Sequence, residues 1–137
     1  TFNQGFMTTE LLAAALLDME LHNLTDTDNL NVVAFEKETM DKLGLIPEIA
    51  PRYRATYFSH IIGGYAAGYY SYLWAEVLDT DAFEAFKEHG VFDKNTAGSF
   101  RKNILEKGGT EEPMALYRAF RGADPSLEPL LKNRGLE

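Results

Sequence analysis

Residues 57–74 read YFSHIIGGYAAGYYSYLW, eighteen positions that hold one histidine, five tyrosines and three glycines. A helix that only packs has no need of so many phenols. Read as a helix beginning at Tyr65, the stretch places Tyr65, Tyr69 and Tyr72 at i, i+4 and i+7, one stripe on one face. Tyr70, Leu73, Trp74, Val77 and Leu78 then form a second stripe, the expected core face. Ala66, Ala67 and Gly68 are small, so another group can approach between the rings. His60 lies just before the double glycine. Gly63 and Gly64 free the backbone there, so the turn can bend or move and aim His60 at the tyrosine face.

Working outward, the helical reading extends almost everywhere. β-branched residues are scattered and no segment alternates cleanly, so strand signals are poor. Upstream, a helix is expected from about Thr8 to Leu24. Leu11, Leu12, Leu16, Leu17, Met19 and Leu21, with Ala13, Ala14 and Ala15, leave it little polar face, and such a helix wants burial on several sides. TDTDN, residues 25–29, is a turn cluster. Asn31 can cap a second helix through Leu43, with Gly44 as its stop. PEIAPR is a break, because each proline pushes its predecessor out of the helical region. Downstream, short helices start at Asp79, Asn95, Glu111 and Pro125 and end at Gly90, Gly108, Gly122 and Gly135. The acids Asp79, Asp81, Glu111 and Glu112 read as helix-start chemistry, and His22 and His89 as cations near negative helix ends. The fold class is all-α. Several short helices and one nearly apolar helix make a layer rather than a closed ball. Part of the apolar surface is therefore expected against another segment.

The bulk numbers remove whole classes of function. The chain has 137 residues, enough for one domain with a real core. It carries 13 Lys+Arg against 21 Asp+Glu, a formal charge of −8. Nucleic acid as a partner needs a clustered basic surface, so it is not expected. An anionic membrane surface is not expected either. The longest apolar run, LLAAALL at residues 11–17, is too short to span a bilayer. There is no cysteine, which excludes disulfides and thiol catalysis. That composition fits the cytoplasm and is compatible with the periplasm. TFNQGF has no signal-peptide layout, and a first residue other than Met reads as a processed end or a cut through a longer protein. Leu136-Glu137 reads as a cloning scar.

Phenols and an imidazole are hydrogen-bond donors. Aimed at one point, they can stabilise a developing oxyanion, as in carbonyl addition. A glycine hinge beside them lets them close on a substrate. The chain has no HExxH, and His22, His60 and His89 lack ligand spacing with each other, so no metal ligands are expected in it. The pattern is half a site, with electrophilic help and no attacking group. Amphipathic packing explains the same tyrosine spacing. From the residues alone both readings stand.

FSHIIGGYAAGYYSYLWAEVLDTDAFEAF, residues 58–86, resembles the C-terminal signature of the thimet oligopeptidase family of zinc metallopeptidases. Within that family it is most similar to the bacterial peptidyl-dipeptidases, which release C-terminal dipeptides. The resemblance covers essentially the whole chain. FNQGFMTTELLAAALLDMELH is similar to the segment after the family's zinc site, and FRKNILEKGGTEEPMALYRAFRGADPSLEPLLKNRGL to its final helices. It implies that residues 1–137 form the C-terminal helical part of a catalytic domain. His60 would be the loop histidine that contacts substrate near the scissile bond. Tyr65 and Tyr72 would work near the carbonyl and the oxyanion. Tyr69 would contact substrate, and Gly63 and Gly64 would be the flexible glycines of a closing loop. The family's zinc ligands, the two histidines of HExxH and a later glutamate, lie upstream of the matching part. The resemblance thus implies zinc in a full-length parent, none bound by this chain alone, a short peptide as substrate and the upstream part of the same polypeptide as partner. On that reading the chain by itself is inactive. The competing expectation is a non-catalytic helical module that binds a protein or peptide through its apolar and tyrosine-rich surfaces.

Overall fold

The computed structural model describes residues 2–136, so Glu137 of the expected scar lies outside the described residues. Every regular element among them is helical. The chain forms two compact units that meet in sequence between Tyr72 and Leu73.

The first unit opens with α1, Gln4–His22. It starts four residues before the expected Thr8 because the two threonines do not break it. Thr9 Oγ1 donates to the carbonyl of Gly5 at 2.8 Å, one turn back, which satisfies the hydroxyl inside the helix. Ala13, Ala14 and Ala15 are buried and carry small side chains, so neighbours come close to the helix axis. Ala14 and Ala15 pack with Phe58, Ile61 and Tyr69. Ala13 packs with Leu17, Met40 and Ile49, and Leu21 touches both groups. Leu12, Leu16 and Met19 stay exposed, so α1 is covered on one side only.

Helix α2, Val32–Lys42, is capped as expected: the Asn31 side chain accepts from Ala34 N at 3.1 Å, and Gly44 follows in the left-handed region at φ 67°. The break at 47–52 leads into two short 3₁₀ turns, Ala55–Tyr57 and Ser59–Ile62.

The helix expected from Tyr65 does not start there. Residues 63–70 form a run of turns, and regular helix begins at Ser71. Ala67 adopts a left-handed φ of 53°, which no right-handed helix contains. The core-face stripe is also corrected. Val77 is buried, but Tyr70 and Trp74 are 55% and 47% exposed.

Helix α3, Ser71–His89, runs through residues 79–81, where a new helix was expected. The reason is local satisfaction of residues that otherwise break helices. Thr80 Oγ1 donates to the carbonyl of Glu76 at 2.6 Å, and Asp81 points inward to accept from Tyr117. Asp81 is therefore a mid-helix core residue and not a helix-start acid. In the second unit α4, Lys94–Phe100, is capped by Asp93, whose side chain accepts from Thr96 N at 2.7 Å. It continues as a π-helical turn, Arg101–Leu105. Helix α5, Pro113–Arg121, has proline in its first turn, Glu112 as cap and Gly122 as stop. Helix α6, Glu128–Arg134, ends at Gly135. Phe86, Phe100 and Phe120 form an aromatic knot with centroids 5.1–6.2 Å apart.

Candidate active site

The tyrosine face exists, built by turns rather than by a helix. Tyr65 and Tyr72 stack with centroids 5.2 Å apart and planes 15° apart. Tyr69 meets Tyr72 edge-on at 5.1 Å. His60 sits among them, 6.0 Å from Tyr65, 5.4 Å from Tyr69 and 6.0 Å from Tyr72. The side chains of His60, Tyr65, Tyr69 and Tyr72 thus come together in the first unit. They differ in access. Tyr65 and Tyr72 are each 41% exposed, whereas Tyr69 is 3% exposed and belongs to the core.

Two buried acids hold this loop. Asp18, on α1, has no solvent exposure. Its Oδ1 accepts from Ala67 N and its Oδ2 from Tyr69 N, both at 2.9 Å. His22 Nδ1 lies 2.9 Å from the same Oδ1. The αL conformation of Ala67 costs on the order of 1 kcal/mol for a residue with a Cβ. The two charge-assisted hydrogen bonds on either side of it offset that cost. Glu36, on α2, takes the other end: its Oε1 accepts from Ala55 N at 2.8 Å, and Arg54 Nε lies 3.0 Å from Oε2.

The phenols are kept as donors. The Tyr72 hydroxyl is raised above the ordinary tyrosine range, first by its hydrogen bond with Tyr65 and then by burial and the neighbouring phenols. Burial raises Tyr69 as well, with Tyr53 adding to the effect. Both therefore keep their protons across the neutral range. His60 Nδ1 is buried and has no hydrogen-bond partner among the described residues. An unmade bond of that kind is costly, and a ligand or a movement of the turn would relieve it.

The model of the family described as "Peptidase family M3" matches residues 1–136. The chain belongs to peptidase family M3. Among its relatives, a dipeptidyl carboxypeptidase of Escherichia coli (strain K12) is 44% identical over 98% of this chain and 20% of its own length. An oligopeptidase A of Haemophilus influenzae is 42% identical over 91% of the chain and 19% of its own. A thimet-like oligopeptidase of Dictyostelium discoideum is 30% identical over 89% and 18%. The chain therefore spans about a fifth of the length of these M3 relatives.

M3 peptidases are metallopeptidases, generally zinc dependent. Among the described residues no three His, Cys, Asp or Glu side chains converge on a point. His22 faces Asp18, His89 Nδ1 lies 2.9 Å from the carbonyl of Ala85 at the end of α3, and His60 is ringed by aromatics. This set does not fit a zinc site.

Three further residues that build this cluster were not singled out in the sequence. Phe58 is fully buried against Tyr69 at 4.8 Å, and Tyr53 stacks on Phe58 at 4.9 Å and lies 5.2 Å from His60. Asp18 is the third. Its signal was present, as the one acid between LLAAALL and MELH.

Proposed function

We propose that this chain is the substrate-loop part of a zinc-dependent peptidyl-dipeptidase or oligopeptidase, whose whole polypeptide hydrolyses short peptides and releases C-terminal dipeptides. What supports it is one arrangement: two half-exposed phenols stacked beside a histidine, in a chain of a peptidase family. Zinc in the whole protein would be held by residues outside this chain and would supply Lewis-acid chemistry there. Tyr65 and Tyr72 would donate hydrogen bonds to the scissile carbonyl oxygen as it gains negative charge. Such donors act most where the charge develops, so they favour the transition state over the bound substrate.

His60 would contact the peptide beside the scissile bond, once its turn moves and Nδ1 finds an acceptor or donor. Gly63 and Gly64 carry that movement in this proposal. Tyr69, a substrate contact on the family resemblance, is enclosed at 3% exposure. Its proposed part is to support the rings of Tyr72 and His60. Tyr72, Tyr65 and His60 remain the groups at the substrate. The chain by itself is proposed to have neither zinc affinity of note nor peptidase activity. The module reading draws on the exposed Tyr57, Tyr70 and Trp74, but membership of a peptidase family favours the enzyme.

The test is Tyr72→Phe in the whole polypeptide. It should lower kcat by about 10²-fold or more with zinc content unchanged. Unaltered turnover would reduce Tyr72 to packing and end the oxyanion proposal.

A further inference from the structure

We infer that Asp18 is a positioning residue for the tyrosine face, acting through the backbone of the loop; the inference rests on the oxyanion role proposed above for Tyr72. The loop from Ala55 to Tyr69 is held at its two ends by side chains from two helices. Glu36 takes the N–H of Ala55, and Asp18 takes those of Ala67 and Tyr69. Between these holds lie His60, Gly63, Gly64 and Tyr65. A Cβ added at Gly63 or Gly64 would meet nothing within 4 Å, so no neighbouring side chain packs against the loop at these two positions.

The hold at Asp18 is two-pronged. Two N–H groups flanking a left-handed residue form a small concavity suited to an anion, and here a side-chain carboxylate fills it. Each oxygen takes one N–H, so the peptide planes before Ala67 and before Tyr69 are both oriented. From there the chain runs directly into α3. Ser71 N donates to Gly68 O at 3.0 Å, and Tyr72 N to Tyr69 O at 3.3 Å. Tyr72 therefore leaves the backbone only three residues after the Asp18 hold, in a direction that the hold sets. Asp18 lies under the loop with no solvent exposure, so it reaches no substrate and touches no reacting atom.

This separates two kinds of defect. Loosening the hold should misplace Tyr72, a group proposed to act in the transition state, and so lower kcat while leaving KM nearly unchanged. A purely structural acid would change the folded fraction but not the kcat of the folded enzyme. Asn is the informative replacement because it keeps the shape but offers one acceptor oxygen. Its amide N–H₂ then faces a backbone N–H.

The experiment is Asp18→Asn in the whole polypeptide, read by amide hydrogen exchange and by steady-state kinetics, with Tyr72→Phe beside it. Exchange at Ala67 and Tyr69 should speed up by about tenfold or more, with the amides of α5 and α6 unaffected. The same variant should lose about tenfold or more in kcat, with KM within about twofold. Unchanged exchange at both amides would overturn the inference. So would faster exchange with full kcat in an enzyme that Tyr72→Phe does slow. If Tyr72→Phe is itself without effect, the oxyanion role fails and the positioning role fails with it. Should the Asn variant not fold, the unaltered protein decides: the Ala67 and Tyr69 amides must be protected by about 10²-fold or more over the unfolded rate. Exchange there near the unfolded rate would overturn the inference.

Discussion

Asp18 and Asp81 look alike in the sequence, each an acid set in an apolar helical stretch, and both are buried, 0% and 4% exposed. Their partners differ in kind. Asp18 accepts two backbone N–H groups from chain 49 and 51 residues away. Asp81 accepts the hydroxyl of Tyr117 at 2.5 Å and lies 3.4 Å from Arg121 Nε. Backbone donors make a carboxylate fix the path of a loop. Side-chain donors make it fix which helices pack, here α3 with α5. The first unit thus uses Asp18 to aim rings, and the second uses Asp81 to assemble helices. Changes at the two acids should break different things.

The largest effect on stability is expected at Asp81. Asp81→Ala leaves the Tyr117 hydroxyl without its acceptor and takes from Arg121 one of its two neighbouring carboxylates. Breaking a buried pair by removing one partner costs several kcal/mol. Arg121 keeps Glu88, which accepts from its guanidinium at 2.8 Å, so the expected cost is at the low end, about 3 kcal/mol. Urea denaturation should show it as a lower midpoint at constant slope. An unshifted midpoint would mean that Asp81 does not organise its unit, and the contrast with Asp18 would lose one side.

The same contrast explains what the sequence could and could not tell. The helical class, the Asn31 cap and the glycine stops at 44, 90, 122 and 135 were legible because each depends on a residue and its near neighbours. The grouping of His60 with Tyr65, Tyr69 and Tyr72 was also legible, although the helix invoked for it begins only at Ser71. Turns reproduced the spacing because Asp18 holds Ala67 in a left-handed conformation. That bond joins positions 49 residues apart, so no local pattern announces it. The uninterrupted α3 was missed for a similar reason. Asp79, Thr80 and Asp81 are poor helix formers, and only the distant Tyr117 shows why Asp81 can lie inside.

A middle-sized effect sharpens the second side. Tyr117→Phe removes the donor and keeps the ring. Hydrogen bonds to charged groups contribute about 1.5–3 kcal/mol, so a loss of about 1.5 kcal/mol is expected in the same urea experiment. The pH dependence gives an independent reading. Burial first, and then the bond to Asp81, push the Tyr117 hydroxyl far above the ordinary value of 10.0. The unfolded chain therefore releases this proton at lower pH than the folded one. The contribution is complete below about pH 10 and is lost as pH rises beyond it. Alkaline unfolding followed from pH 9 to 11 should be less steep in Tyr117→Phe than in the unaltered chain. Equal slopes would mean that the phenol is not held as the geometry implies.

The smallest effect on stability is expected between the two holds of the loop. Gly64→Ala places a methyl where nothing lies within 4 Å, at a backbone angle outside the left-handed region. On those grounds it should change stability by less than about 1 kcal/mol, and a stiffer unfolded chain makes a small gain the expected sign. A clash therefore cannot account for any kinetic defect. If the double glycine is the moving part, kcat and KM in the whole polypeptide should shift together, since closure over the peptide is then altered. Asp18→Asn, in contrast, should move kcat alone. If Gly64→Ala keeps both constants while Asp18→Asn lowers kcat, the tyrosine face is a rigid set of donors held from α1, and the loop middle has no catalytic motion to make.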